Sequence, residues 1–246
     1  MMGSSLSSIV DETESPYTNT RRTSIIPFDV ASVRQALLHL LPRELVDRIL
    51  DLADYKPRIV SYREQKSRIT AGLNNDNDVQ ELYMLSEVIP HTPLFLPKEL
   101  LNTMHISSVT FTIESHDQGW GGEPEHQGSY HATWSWLEAA IIRPGEPNGE
   151  LGYPELKVDG ESRWLLQRNV HASGDLKKHV VTWRRSSDEP SAINEQEVLE
   201  EYGCGLGKGF VDVLRPGDQV AIIYRARYPG WANTVYSAEI GIDISI

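Results

Sequence analysis

Apolar residues recur along this chain with two different periods, and the change of period divides it. Val30, Val33, Ala36, Leu37, Leu40 and Leu41 return at three- and four-residue spacing, which marks one face of a helix. Pro42 stands where a second helix would start, because a first-turn proline forfeits no internal hydrogen bond. Leu45, Ile49, Leu52 and Ala53 carry the stripe on until Pro57 stops it. Residues 1–24 are rich in Ser, Thr, Asp and Glu and read as a disordered leader. Residues 72–104 open on an Asn/Asp loop and contain Pro90, Pro93 and Pro97, which exclude a long helix; the stretch reads as a linker.

From Ile106 the period is two. Val109, Phe111 and Ile113 alternate with Thr110, Thr112 and Glu114. Tyr130, Ala132, Trp134 and Trp136 form a second stripe, and Trp164, Leu166 and Val170 a third. Val181 with Trp183, then Val220, Ile222 and Tyr224, continue the series. The last stripe runs Tyr236, Ala238, Ile240, Ile242, Ile244, Ile246. Strands with one apolar and one polar face belong to antiparallel sheets wet on one side, and six or more of them require two sheets packed together. The expected fold is therefore mainly β, an antiparallel β-sandwich of jelly-roll or galactose-binding-like type, with a short helical N-terminal segment. The expected division is a leader (1–24), a helical segment and linker (25–104), and a sandwich (105–246) that folds alone.

Composition narrows the partners. A formal charge of −12 argues against a nucleic-acid backbone and an anionic membrane, both of which call for clustered Lys and Arg. The single cysteine, Cys204, allows no internal disulfide, which favours a reducing compartment, cytoplasm or nucleus. No apolar run approaches the length of a membrane span. Read from Met2, the start Gly3 to Ser7 fits a myristoylation pattern; read from Met1 it is a Ser-rich leader.

Two stretches resemble known families. Leu41-Pro42-Arg43-Glu44-Leu45-Val46-Asp47-Arg48-Ile49-Leu50 resembles the opening of an F-box, the helical module that docks onto the Skp1 adaptor of cullin ubiquitin ligases. That resemblance implies adaptor contacts by Leu41, Pro42, Leu45 and Ile49. An F-box continues with two more helices and a tryptophan, whereas Arg58-Ile59-Val60-Ser61-Tyr62-Arg63-Glu64-Gln65 follows here. Residues 106–246 resemble an uncharacterised fungal β-sandwich domain family through four blocks, Ser115–Trp120, Leu166–Val170, Gly203–Gly205 and Tyr228–Trp231. The family implies the fold and carries no activity.

Candidate chemistry lies in the loops. Trp120 and Trp231 each sit in a Gly/Pro-rich connection, where an indole serves either as a platform for sugars and apolar side chains or as a plug for the sandwich end. His116 and Asp117 lead into the Trp120 loop, and His126 and His131 follow; His and carboxylate together suit a metal, but the spacing matches no metal motif. Glu138 and Arg168 fall on apolar stripes, so strict alternation turns both charges inward, where they would pair or line a pocket; a bulge would turn either one outward. Gly203–Phe210 lacks the glycine spacing and the Ser/Thr of a phosphate loop, and reads as backbone in close approach to its neighbours.

The residues support a non-catalytic binding module, the substrate-recognition part of an F-box-type adaptor. Its ligand, a protein or a glycan, would face His116, Asp117, Trp120, Trp231, Glu138 and Arg168. No catalytic residue, metal or cofactor is assigned. The rival reading is a small-molecule enzyme using His116 and Asp117 as acid and base in a loop pocket.

Overall fold

The computed structural model describes residues 25, 27–73, 77–90, 105–143, 163–186 and 194–245. The leader, the Met1–Ser7 pattern, Pro93 and Pro97 of the linker, and Ile246 lie outside them. Two helices come first, α1 (Pro27–Leu38) and α2 (Arg43–Leu52), with Pro42 as the N-cap of the second. Val30 and Val46 are buried between the helices and the rest of the chain, and Arg34 pairs with Asp47 across them at 2.6 Å.

Eight strands follow: β1 (Arg58–Thr70), β2 (Asp78–Leu85), β3 (His105–His116), β4 (Ser135–Ile142), β5 (Arg163–Arg168), β6 (Lys177–Arg184), β7 (Gln219–Arg227) and β8 (Ala232–Ser245). They form two four-stranded antiparallel sheets, β1-β8-β3-β6 and β2-β7-β4-β5. Every connection except β4–β5 passes from one sheet to the other, and the first strand lies beside the last; this is jelly-roll order. The expected sandwich is present. Its core takes Val109, Phe111 and Ile113 from β3, Val220, Ile222 and Tyr224 from β7, and Ala238, Ile240, Ile242 and Ile244 from β8, as their alternation required. Trp183 sits at its centre, 5.0 Å from Phe111 and 4.9 Å from Phe210 between ring centroids.

Three expectations need correction. The sandwich begins near residue 58, not 105, because β1 and β2 are edge strands of the two sheets. The segment expected to be helix and linker turns to strand directly after Pro57, where β1 begins. The stripe from Tyr130 to Trp136 is not one strand: Ala132 has φ +48°, and β4 starts at Ser135. Within β4 the core face is Leu137 and Ala139, so Trp136 and Glu138 lie on the outer face.

Two further short α-helices occur among the described residues, α3 (Glu195–Tyr202) and α4 (Phe210–Val213). The glycine segment between them makes the close approach expected of it. Trp183 Nε1 donates to Gly205 O (2.7 Å), and a Cβ on Gly207 would overlap the same indole. No helix among the described residues is long and apolar enough to cross a membrane.

Candidate functional site

The two tryptophan loops do meet at one end of the sandwich. The β3–β4 loop leaves β3 at His116, and Asp117 turns its fully buried carboxylate back into it. One oxygen accepts from Gly119 N (2.7 Å), and the other accepts from Ala172 N in the β5–β6 loop (2.6 Å). Burial pushes the Asp117 pKa up, while these two N–H groups pull against that rise. Gln118 ties the same loop to the β7–β8 turn: its Oε1 accepts from Ala232 N (3.1 Å) and its Nε2 donates to Trp120 O (2.8 Å). Gly230 of that turn lies close to the Trp120 ring, where an added Cβ would be 3.6 Å from Cη2.

The tryptophans take different parts. Trp120 is 64% exposed although its loop is fastened on both sides, so it does not plug the sandwich end. Trp134 and Tyr228 stand around the same turn as an edge-to-face pair, with ring centroids 4.6 Å apart and both rings exposed. Trp231 is half-buried and packs edge-on against His171 (5.2 Å), so it is the plug.

Beneath the loops lies a saturated polar layer that the sequence stripes did not reveal. Ser115 Oγ donates to Asn169 Oδ1 (2.7 Å), and Asn169 Nδ2 donates to Ser135 Oγ (3.0 Å) and Asn233 Oδ1 (2.9 Å). Buried amides and hydroxyls that satisfy one another fix a single geometry at modest net energy. The layer therefore sets the position of the loops above it.

His116 and Asp117 do not form an acid–base pair. His116 Nδ1 donates to the backbone carbonyl of Asp117 (2.5 Å), its ring rests near Tyr236 (5.7 Å), and both Asp117 oxygens are engaged by backbone. Asp117 thus has both carboxylate oxygens engaged in fastening the loop. The histidines that gather are His126, His131 and the unexpected His171, with His126 lying 6.0 Å from His131 and 6.1 Å from His171 between centroids. Among the described residues one group brings ligand atoms within reach of a common ion: Glu123, Glu125 and His126, within 4.8 Å of one another. His171 donates from Nδ1 to His131 O (3.0 Å), and a Cβ on Gly122 would overlap its ring. Nothing in the sequence pattern marks His171, which simply follows the β5 stripe.

Glu138 and Arg168 part company. Glu138, 8% exposed on the outer face of its sheet, accepts from Arg225 (2.9 Å), Arg163 (3.1 Å) and Trp136 Nε1 (2.8 Å). Arg225 also holds Asp78 (2.9 Å), which binds β2 to the network. A bulge in β5 opposite Leu137 and Glu138 turns Arg168 to the outer face as well, where Nη1 reaches Tyr130 O (3.5 Å) and burial lowers its pKa. The expected pair is replaced by a carboxylate between two other arginines, away from the loops.

At the other end, the residues expected to face an adaptor are accessible. Leu45 is 49% and Ile49 41% exposed, Pro42 is exposed, and Leu41 is half-buried. The chain matches no protein-family model and no curated protein.

Proposed function

We propose that the protein is a non-catalytic binding module whose ligand surface is the loop end of the sandwich. The observation that carries this reading is Trp120, a large apolar ring left in solvent on a loop anchored by Asp117 and Gln118. Exposing an indole forgoes the stabilisation its burial would give, and holding it rigid lowers the entropy cost of binding. Trp134 and Tyr228 extend the ledge, so the ligand is a flat apolar or saccharide surface on a protein or glycan. A glycan and peptide array gives the test. Trp120→Ala is expected to abolish the bound signal while leaving the melting temperature within about 2 °C, as an exposed substitution should. An array without hits, or a variant that binds unchanged, refutes the reading.

The exposure of Leu45 and Ile49 favours a second role for the N-terminal helices, docking to a Skp1-type adaptor inside the cell, with the sandwich presenting the substrate. The lone cysteine fits a reducing compartment. Leu45→Asp with Ile49→Asp should abolish co-purification with such an adaptor and leave the sandwich folded, since neither side chain is buried. Wild-type protein that fails to bind at micromolar concentration removes the adaptor role.

A further inference from the structure

A recess of about 490 Å³ opens on the outer face of the β1-β8-β3-β6 sheet, far in character from the aromatic ledge. Its floor is a row of paired residues across three strands, Gly241, Thr110 and Thr182, and its rim carries Lys56, Arg58 and Arg184. Asp243 stands within it, almost fully buried. It accepts from Arg58 through Nε (2.5 Å) and Nη2 (3.0 Å), from Ser108 Oγ (2.8 Å) and from Lys56 (3.2 Å). That carboxylate fixes two of the three cations in place. Arg184 is exposed and has no ion pair among the described residues. The residues lining the recess carry three cations against one carboxylate, with Asp54 holding Lys56 from outside it (2.9 Å), on a chain whose formal charge is −12.

The glycine is the second observation. Gly241 lies mid-strand in β8, where glycine weakens a sheet. Its φ is not in the left-handed region, and a Cβ built on it would meet nothing closer than 3.9 Å, so neither backbone shape nor crowding asks for glycine there. A Cβ there would touch Arg58 Cδ and Thr110 O at 3.9 Å, so the glycine leaves only the Arg58 side chain over this part of the sheet. A bulge in β3 at Ser107 adds to this: Ser107 and Ser108 both leave the core face, so hydroxyls join the cations.

We infer that this recess binds a phosphate group, with Arg184, Arg58 and Lys56 neutralising it and the Thr110–Thr182 hydroxyl pair, itself hydrogen-bonded (3.0 Å), donating its remaining proton to a phosphate oxygen. A tetrahedral dianion offers enough acceptor oxygens for several cations and hydroxyls at once, which a single carboxylate does not. The site is separate from the loop end and does not depend on the function proposed there.

Calorimetry on the full chain tests this, with inorganic phosphate titrated against chloride at constant ionic strength. Saturable binding is expected with a dissociation constant on the order of 1 mM. Arg184→Gln should weaken it about fivefold or more. Gly241→Val, which fills the floor, should abolish it while a thermal melt confirms folding. Because Arg184 is exposed, its variant carries the test even if the valine variant does not fold. O-phosphoserine run in parallel identifies the source: tighter binding assigns the site to a phosphomonoester, equal binding to free phosphate. Absence of saturable binding up to about 50 mM, or an affinity unchanged by Arg184→Gln, overturns the inference.

Discussion

His179 sets a pH limit on the stability of the sandwich. It lies on β6 opposite Ile113 of the core, with the Tyr130 ring 6.0 Å away. It is buried, and its Nε2 has no hydrogen-bond partner among the described residues. Burial first, and the Lys177 charge second, push its pKa down from 6.5 to about 4. The unfolded chain therefore takes up a proton between about pH 6.5 and pH 4 that the folded chain refuses, so stability rises with pH across this window and is lost as pH falls through it. At about 1.4 kcal/mol for each tenfold difference in proton affinity, the full loss is about 3 kcal/mol, with about 2 kcal/mol gone by pH 5. Urea unfolding of the wild type and His179→Leu, at pH 7.5 and pH 5, isolates the effect. Other titrating groups, including Asp117 and Asp243, cancel in the difference. The wild type should lose about 2 kcal/mol more than the variant over that interval. Parallel losses, or an imidazole that titrates near 6.5 by NMR in the folded protein, would refute the reasoning.

Two further outcomes follow from the corrected geometry. Glu138→Gln should cost about 2 to 3 kcal/mol in urea melts by leaving Arg163 and Arg225 short of a countercharge, and the double change with Arg168→Met should be close to additive, because the Arg168 hydrogen bond runs to Tyr130 O and not to Glu138. A fragment 105–246 should show no cooperative thermal transition, since it strips an edge strand from each sheet, whereas one starting just before β1 should melt cooperatively.

Three of the four interior strands were legible because burying one face leaves a period of two in the residues. β3, β7 and β8 each lie between two neighbours, and their apolar positions are the ones the core uses. β1 and β2 were missed for the opposite reason. Each pairs on one side only, and β1 spends Glu64, Gln65, Lys66 and Arg68 on the solvent that an edge must face. Charge protects an edge from further pairing and at the same time erases the pattern that would reveal it. The β1 register shift between Glu64 and Ser67 breaks what alternation remains.

The candidate site was half legible for a related reason. Alternation states which face a residue takes, but it says nothing about which of the two sheet surfaces is dry. Trp134, Trp136 and Glu138 share a phase, as the stripe required, yet the core chose Leu137 and Ala139 instead. The wet face is then free to carry a carboxylate between arginines, because water and countercharge together make burial to 8% tolerable. In the loops no period exists, and composition alone pointed to Trp120, Trp231 and Asp117. It could not separate the platform from the plug, since that difference lies in a hydrogen bond from Ala232 to Gln118 and another from Ala172 to Asp117, each joining segments more than fifty residues apart. Those long-range ties make an exposed indole into a fixed surface, and they leave Trp120, not the buried Asp117, open to solvent.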